Sequence, residues 1–269
     1  MRVVFMGTPE FAVPCLEGLL RHHQVVAVYT QPDRRAGRGR SLVISPVKRL
    51  ALARGLPVRQ PASLKPEGVA EELERLRPEV IVVAAYGQIL PRRVLHIPPR
   101  GCLNVHPSLL PRHRGSSPVA SAILDGDEFT GVSIMLLDEG LDTGPILAQT
   151  RLAIEPQDTT GSLTAKLSEL GAQLLVETLA LWLERKLESQ PQGEEGATYS
   201  RPLTKEDGVI DWRLPAQELA RRIRALQPWP GCYSWWRSRL LRIMEAVPRP
   251  GEGKPEPGRV RALGRGVGV

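Results

Sequence analysis

Two polar residues with complementary chemistry lie two positions apart near the middle of the chain, in Leu103-Asn104-Val105-His106. If residues 102–105 form a strand, Asn104 and His106 project from the same side of it, because side chains alternate along a strand. A carboxamide can donate hydrogen bonds to a developing oxyanion, and an imidazole can take or give a proton near neutral pH. The pair predicts acyl-transfer chemistry at the end of a strand.

A third group is needed to hold the imidazole and stabilise its cationic form, and Asp142 in the glycine-flanked run 138–144 is the candidate. Each residue also has an ordinary structural explanation. Asn104 alone suits a loop cap, His106 suits a hydrogen-bonded core or surface histidine, and Asp142 before Thr143-Gly144 suits a turn. The catalytic hypothesis therefore requires the three side chains to meet at one place.

The elements that position these residues are indicated by alternating apolar runs and helical patterns. Short apolar runs predict strands at 2–6, 24–29, 80–84, 102–105, 132–136 and 146–151. Apolar spacing of three and four predicts helices at 11–22, 67–77, 118–124 and 159–187. This order favours an α/β fold with a doubly wound, mostly parallel, Rossmann-like sheet, in which ligands lie beyond the carboxyl ends of the strands.

The chain divides by composition into three segments. Residues 1–188 carry the strand–helix pattern and are predicted to form the catalytic domain. Residues 189–200 are polar and contain Pro191, Gly193 and Gly196, so they are predicted to be an interdomain linker. In residues 201–269, a helical pattern at 216–226 and short strands at 232–236 and 240–246 predict a small β-rich, OB-like domain. We expect its tryptophans to lie in its core: Trp229, Trp235 and Trp236.

The net charge of +7 is concentrated at one end of the chain. Residues 201–269 contain 14 Lys and Arg against 7 Asp and Glu, so the first 200 residues are neutral. This separation predicts a polyanion-binding module attached to a neutral catalytic body. An arginine-rich tail without such a function is the alternative.

No apolar run reaches the roughly 18 residues that a membrane span needs. The first residues run directly into a predicted strand, without a signal-peptide pattern. These features predict a cytoplasmic protein without a membrane partner. The three cysteines, Cys15, Cys102 and Cys232, are widely separated and predict reduced core thiols without a metal site.

Five short motifs together resemble those of the folate-dependent formyltransferase family: Asn104-x-His106, Ser108-Leu109-Leu110-Pro111, Arg114-Gly115, Thr130-Gly131-Val132 and Asp142-Thr143-Gly144. The resemblance implies a catalytic trio of Asn104, His106 and Asp142, with 10-formyltetrahydrofolate as co-substrate and no metal. It also implies a reduced-folate site formed by two loops: Ser108, Leu109, Leu110 and Pro111, and Tyr86, Gly87, Gln88, Ile89 and Leu90. Pro107 departs from the family, where glycine or alanine is more common, and it lacks an N–H donor.

Further motifs are similar to the branch of this family that formylates the methionine carried by initiator tRNA: Phe5-x-Gly7-Thr8-Pro9-x-Phe11-Ala12, Gln31-Pro32-Asp33-Arg34, Gly37-Arg38-Gly39, Ser45-Pro46-Val47-Lys48, Ile210-Asp211-Trp212 and residues 223–231. The resemblance implies direct attack of the methionine α-amine on the formyl carbon, through a tetrahedral intermediate, in translation initiation. A formyltransferase for a small amine and a non-catalytic tRNA-binding protein on the same scaffold are the alternatives.

Two basic regions are predicted to bind the tRNA backbone. Residues 31–48 form a basic, mobile-looking loop with Arg34, Arg35, Arg38, Arg40 and Lys48. The C-terminal candidates are Arg221, Arg222, Arg224, Arg237, Arg239 and Arg242. Residues 201–269 are few for a module that must close its strand edges, which predicts either a naturally short form or a truncated domain. We expect the protein to be a monomer.

Overall fold

Strands and helices alternate along most of the chain, which the computed structural model describes at residues 1–36, 41–249, 257–263 and 266–268. In chain order the strands are β1 (Arg2–Gly7), β2 (Gln24–Tyr29), β3 (Arg34–Ala36), β4 (Ser41–Val43), β5 (Val58–Arg59), β6 (Val80–Ala84), β7 (Cys102–His106), β8 (Arg114–Gly115), β9 (Phe129–Leu136), β10 (Ile146–Ala153), β11 (Tyr199–Ser200), β12 (Cys232–Trp236), β13 (Arg239–Ile243), β14 (Arg261–Leu263) and β15 (Gly266–Gly268). The α-helices are α1 (Val13–His22), α2 (Pro46–Ala53), α3 (Glu67–Arg75), α4 (Arg92–Leu95), α5 (Pro118–Asp125), α6 (Thr160–Leu183) and α7 (Ala216–Ala225), and short 3-10 helices lie at Glu10–Ala12 and Glu206–Gly208.

Seven strands form the main sheet, in the order β10-β9-β7-β6-β1-β2-β5. Neighbours from β7 to β5 run parallel, whereas β9 and β10 are antiparallel to their neighbours at one edge. The chain moves from β1 outward to β2 and β5, then returns to place β6 on the other side of β1. The predicted mostly parallel sheet is therefore confirmed. Its strand order opens a crevice beyond the carboxyl ends of β1 and β6.

Both faces of the sheet are covered by helices, which explains the continuous apolar runs in its strands. Alternate residues of β1 enter different cores: Val3 and Phe5 pack with α1, α5 and α6, whereas Val4 and Met6 pack with α3 and α4. The longest helix, α6, begins at a capping box in which the side chains of Thr159 and Ser162 bond each other's backbone N–H groups. The predicted end of this helix at residue 187 is wrong, because Arg185 adopts a left-handed conformation with φ +56°.

The segment 189–200 is not a free connection. The backbones of Gln190 and Ile146 exchange two hydrogen bonds of 2.8 Å, which fixes the segment to the start of β10. Farther along, β11 pairs in parallel with β8. Both attachments join residues far apart in sequence. The interdomain linker at 189–200 and the domain boundaries at 188 and 201 stay predictions.

The described parts of the basic segment, residues 31–36 and 41–48, contain regular structure. Strands β3 and β4 pair antiparallel within the segment, and α2 begins at its end. The Ser45 hydroxyl caps α2 by accepting a 3.0 Å hydrogen bond from the Lys48 N–H, and Pro46 occupies the first turn.

The C-terminal region has its own small core, in which Ile210, Ile223, Leu226 and Cys232 pack together. Helix α7 also packs against α5 of the larger unit. The strands pair as two hairpins, β12–β13 and β14–β15. Within the described ranges, no helix combines the length and the hydropathy needed to cross a membrane.

The prediction that the C-terminal tryptophans lie in the core is wrong. Trp235 is 58% exposed and Trp236 is 46% exposed, because both lie near the turn of the two-stranded β12–β13 ladder. Trp229 is also exposed, in the turn that follows α7. Among the described residues, the sheet that contains this ladder has only these two strands.

Candidate active site

Asn104 and His106 lie on β7, at the carboxyl end of the parallel part of the sheet. The strand is buried between β6 and β9, with Asn104 opposite Val83 of β6 and His106 opposite Ser133 of β9. Both side chains are buried. They occupy the face that Cys102 shares, whereas Leu103 and Val105 enter the core beneath α6.

Asp142 reaches this pair from the loop between β9 and β10. Its Oδ1 accepts a long 3.4 Å hydrogen bond from the Asn104 amide, and its Oδ2 lies 3.7 Å from Nδ1 of His106. The same Oδ2 accepts a 2.8 Å hydrogen bond from the backbone N–H of Gly115. Asp142 itself has φ +54°, a left-handed conformation that is uncommon for residues other than glycine. The amide, imidazole and carboxylate therefore meet at one place.

The other ring nitrogen of His106 fixes its tautomer. Nε2 lies 3.0 Å from the backbone carbonyl oxygen of His113. A carbonyl can only accept, so Nε2 carries the proton and donates it. In the neutral imidazole, Nδ1 is then the unprotonated atom, and it is the nitrogen that faces Asp142. His113 presents its carbonyl from a left-handed conformation (φ +55°), and its own Nε2 lies 2.7 Å from Asp127.

The loop after β7 is held by polar side chains of the neighbouring strands. The Ser133 hydroxyl donates to the Ser108 carbonyl at 2.6 Å and accepts from the Leu110 N–H at 3.1 Å. Gln149 of β10 donates to the Leu110 carbonyl and to Ser133. Pro107 is the centre of a three-residue turn in which the Ser108 N–H bonds the His106 carbonyl, a position that suits the fixed φ of proline.

The sequence interpretation missed Ser133 and Gln149, whose side chains hold the loop after β7. Ser133 interrupts the apolar run of β9 at a buried position, and Gln149 stands on β10 next to it. A polar residue inside an otherwise apolar strand predicts side-chain hydrogen bonds, since buried polar groups need partners. The sequence does not show which backbone groups those partners are.

The second predicted folate loop follows β6. The hydroxyl of Thr8 and the amide of Gln31 both donate to the Tyr86 carbonyl, at 3.0 and 3.3 Å. Gln88 donates to the carbonyl of Pro61. The phenol of Tyr86 is buried, and burial raises its pKa to about 12. Ile89, by contrast, is 84% exposed at the tip of the loop.

Comparison with known proteins agrees with this geometry. A family model described as formyl transferase matches residues 1–179, and one described as formyl transferase, C-terminal domain, matches residues 202–269. The methionyl-tRNA formyltransferase of Chloroflexus aggregans is 52% identical over 97% of this chain and 84% of its own length. That of Myxococcus xanthus is 50% identical over 94% of this chain and 81% of its own length. The chain belongs to the methionyl-tRNA formyltransferase family.

Solved structures of other formyltransferases share the fold at lower sequence identity. A sugar N-formyltransferase from Shewanella sp FDAARGOS_354 superposes with a TM-score of 0.71 at 19% identity, over 94% of this chain and 99% of its own. An N-formyltransferase from Helicobacter canadensis, solved with folinic acid and dTDP-3-aminofucose, gives 0.74 at 19% identity over 98% and 93%. The α/β formyltransferase fold with a small β-rich C-terminal region is thereby established for this family member.

The predicted tRNA-binding residues of the segment 31–48 differ in their surroundings. Arg34 is exposed and donates to Gln31. Lys48 is only 16% exposed in its side chain, and it donates to Asp33 and Gln60. The hydrogen bonds from Lys48 and Gln60 hold the pKa of Asp33 below its usual value. Arg38, Arg40 and the side chain of Arg35 lie outside the described residues.

The C-terminal arginines form two groups. On α7, Arg222 donates to the Asp207 carbonyl, Arg224 donates to the Asp158 carbonyl, and Arg221 packs against Gly126. Burial, with Arg221 nearby, lowers the pKa of Arg224. On the β12–β13 hairpin, Arg237, Arg239 and Arg242 are exposed. Of these six arginines, only the three on the hairpin are exposed, so their positive charges can contact a large ligand.

A metal centre is not indicated by the described side chains. None of the His, Cys, Asp and Glu residues in these ranges forms a group of three or more that could hold an ion. Cys15 and Cys102 are buried, and burial raises the pKa of each thiol to about 12.

Proposed function

We propose that this chain transfers the formyl group of 10-formyltetrahydrofolate to the α-amino group of methionine on initiator tRNA. The single observation that supports it is the convergence of Asn104, His106 and Asp142 at the carboxyl end of β7, in a member of this family. The reduced folate supplies the formyl group, and the amine of the charged tRNA is the nucleophile.

The atoms of the trio divide the chemistry between them. Nδ1 of His106 takes or gives the proton, because its Nε2–H is committed to the His113 carbonyl. The Asp142 carboxylate, 3.7 Å from Nδ1, stabilises the imidazolium that forms. The Asn104 amide uses one N–H for Asp142 and has a second N–H for the negative charge that develops on the formyl oxygen.

The reduced folate would be held by the two loops that flank this site. Residues Ser108, Leu109, Leu110 and Pro111 follow β7, and Tyr86, Gly87, Gln88, Ile89 and Leu90 follow β6. The fit rests on the exposed apolar side chain of Ile89, which offers a surface for a flat ring, and on the fixed loop carbonyls of Tyr86 and Ser108. Both loops lie at the crevice that the strand order creates.

The tRNA would lie across the basic hairpin and the segment 31–48, where exposed arginines can contact phosphates. The proposed contacts are those of Arg34, Arg35, Arg38 and Arg40, and of Arg237, Arg239 and Arg242. No phosphate contact is proposed for the other basic residues predicted from the sequence, Lys48, Arg221, Arg222 and Arg224, because they pack against or bond to other parts of the protein. The cytoplasmic location, the monomeric state and the independence from metal ions stay predictions.

The test is a formylation assay with methionyl initiator tRNA and 10-formyltetrahydrofolate. His106→Gln and Asn104→Ala should each lower kcat by about 10² to 10³, the loss typical of one transition-state donor or about 3–4 kcal/mol. The matched control is His96→Gln, which changes an exposed histidine directly after α4 and should keep the wild-type rate.

Two results would contradict the proposal. A wild-type kcat in His106→Gln would remove this imidazole from the chemistry. If a small amine were formylated faster than methionyl-tRNA, the chain would instead be a formyltransferase for small amines. A gel-shift with charged and uncharged initiator tRNA shows whether a slow variant still binds its substrate.

A further inference from the structure

The segment that follows α6 contributes one polar side chain to the immediate surroundings of Asp142. Nε2 of Gln192 lies 2.9 Å from the carbonyl oxygen of Asp142 and 2.7 Å from that of Gly144. Since the amide of Gln192 has two N–H donors, it can serve both carbonyls at once. The backbone that leaves Asp142 toward Gly144 is therefore tied to one residue of a distant segment.

Gln192 is itself oriented by a buried arginine. Nε of Arg114 donates to Oε1 of Gln192 at 3.2 Å, which assigns the other end of the amide as the donor toward Asp142. The guanidinium also donates to Glu194, to the Tyr199 hydroxyl at 2.9 Å and to the Gly193 carbonyl. Arg114 is fully buried, so its charge depends on these partners, and it binds residues 192–194 and Tyr199 to the site.

Gly115, the residue after Arg114, binds Asp142 directly. The N–H of Gly115 donates to Oδ2 of Asp142, while Gly115 itself has φ +102° and lies against the Ser200 carbonyl. A Cβ at this position would stand 2.3 Å from that carbonyl oxygen, so only glycine fits. Gly115 therefore holds the carboxylate of Asp142, and Gln192 holds its backbone. Arg114 connects these two residues, because it precedes Gly115 in the chain and donates to Gln192.

Asp142 needs such support. Its left-handed backbone conformation costs free energy that the surroundings must offset, and an unsupported loop would relax. A relaxed loop would move the carboxylate away from the His106 ring and the Asn104 amide. Small displacements of a catalytic group can lower a rate strongly.

We propose that Gln192 and Arg114 are positioning residues for the formyl transfer, which hold Asp142 in its productive geometry. They act through Asp142 and need not touch either substrate. This inference rests on the proposed function of Asp142. It assigns to the segment 189–200 the task of completing the site, in addition to connecting two parts of the chain.

The test compares Gln192→Met with Gln190→Met. Methionine preserves the size of the side chain at position 192 but removes its donors and acceptor. Gln190 is an exposed glutamine of the same segment whose side chain has no part in the site. We expect Gln192→Met to lower kcat by about 10- to 100-fold. The KM values for the folate and for methionyl-tRNA should remain within about twofold, because binding surfaces are unchanged. Gln190→Met should match the wild type.

A second variant distinguishes a loss of catalysis from a folding defect. Gln192→Glu keeps the acceptor for Arg114 but places carboxylate oxygens against two carbonyls, so it should lose kcat at least as strongly while melting near the wild-type temperature. A wild-type kcat in Gln192→Glu would overturn the inference.

The decisive measurement is a double-mutant cycle with Asp142→Asn. A residue that acts only through Asp142 should have little further effect once the carboxylate is removed, whereas a general structural defect would lower the rate by the same factor in both backgrounds. Equal factors would refute the inference and leave the proposed function intact. A wild-type rate in Asp142→Asn alone would instead refute the role of Asp142.

Discussion

At the scale of single residues, the site depends on which nitrogen of His106 bears the proton. The backbone carbonyl of His113 answers this, since it accepts from Nε2 and leaves Nδ1 facing Asp142. That carbonyl is presented by a left-handed residue whose side chain is buried and bound to Asp127. The orientation of the His106 imidazole is therefore set by backbone geometry seven residues away.

Lys48 illustrates how position changes the expected role of a basic residue. Its ammonium is engaged by Asp33 and Gln60, and Gln60 also donates to the Gln31 carbonyl at the base of the β3–β4 hairpin. We therefore predict that Lys48→Met weakens tRNA binding by loosening the hairpin, without changing the slope of log K against log salt. Arg34→Met, at an exposed site, should reduce that slope by about one.

The measurement is the affinity for initiator tRNA at a series of salt concentrations. Because its lowered pKa keeps the Asp33 carboxylate charged at neutral and mildly acidic pH, the anchoring of Lys48 should be complete at pH 7. A reduction of the slope by about one in Lys48→Met would show that this lysine contacts a phosphate directly.

At the scale of elements, periodicity predicted most of the larger unit. The predicted strands at 24–29 and 80–84 have the observed bounds, and the alternation along β7 correctly placed Asn104 and His106 on one face. What the sequence did not show depends on partners far away in the chain. The β8–β11 pair and the Gln190–Ile146 bridge join segments more than forty residues apart, so local composition could not indicate these attachments.

The start of α6 is an element whose stability depends on a buried charge. The carboxylate of Asp158 accepts hydrogen bonds from Ser162, from Lys166 and from the Glu155 N–H. Burial alone would raise the pKa of Asp158, but these donors outweigh it and lower the pKa. We predict that Asp158→Asn reduces the free energy of unfolding at pH 7 by about 2 kcal/mol, a typical value for hydrogen bonds to a charged group.

The sign of the pH dependence follows from the lowered pKa. The stabilisation is present above the unfolded-state pKa of Asp, about 3.9, and is lost as the pH falls through the folded-state value. Urea unfolding at pH 7 and near pH 3 should therefore show a smaller difference between variant and wild type in acid. Asp211→Asn is the control, because the side chain of that paired carboxylate is 41% exposed and its ion pair is screened by solvent. A pH-independent difference for Asp158→Asn would contradict the assignment.

At the scale of the whole molecule, the positive charge is distributed in a way that composition could not show. The C-terminal region carries all of the net charge, but only some of its arginines are open. Those of α7 bond backbone carbonyls or pack against α5, whereas those of the β12–β13 hairpin face outward beside exposed tryptophans. The exposed arginines of the hairpin, rather than the net charge of the region, should therefore determine tRNA affinity.

This argument predicts the behaviour of two triple variants with the same change in charge. Replacing the hairpin residues Arg237, Arg239 and Arg242 by glutamine should weaken tRNA binding strongly at low salt and flatten its salt dependence by up to about three, one for each phosphate that the hairpin no longer neutralises. The same replacement at three exposed arginines of the neutral part, Arg54, Arg75 and Arg77, should leave the slope near its wild-type value. With saturating tRNA, kcat should be unchanged in both, because neither set contacts Asn104, His106 or Asp142. If the two variants lost affinity and slope equally, binding would follow the net charge of the chain, and the hairpin would have no special part in holding the tRNA.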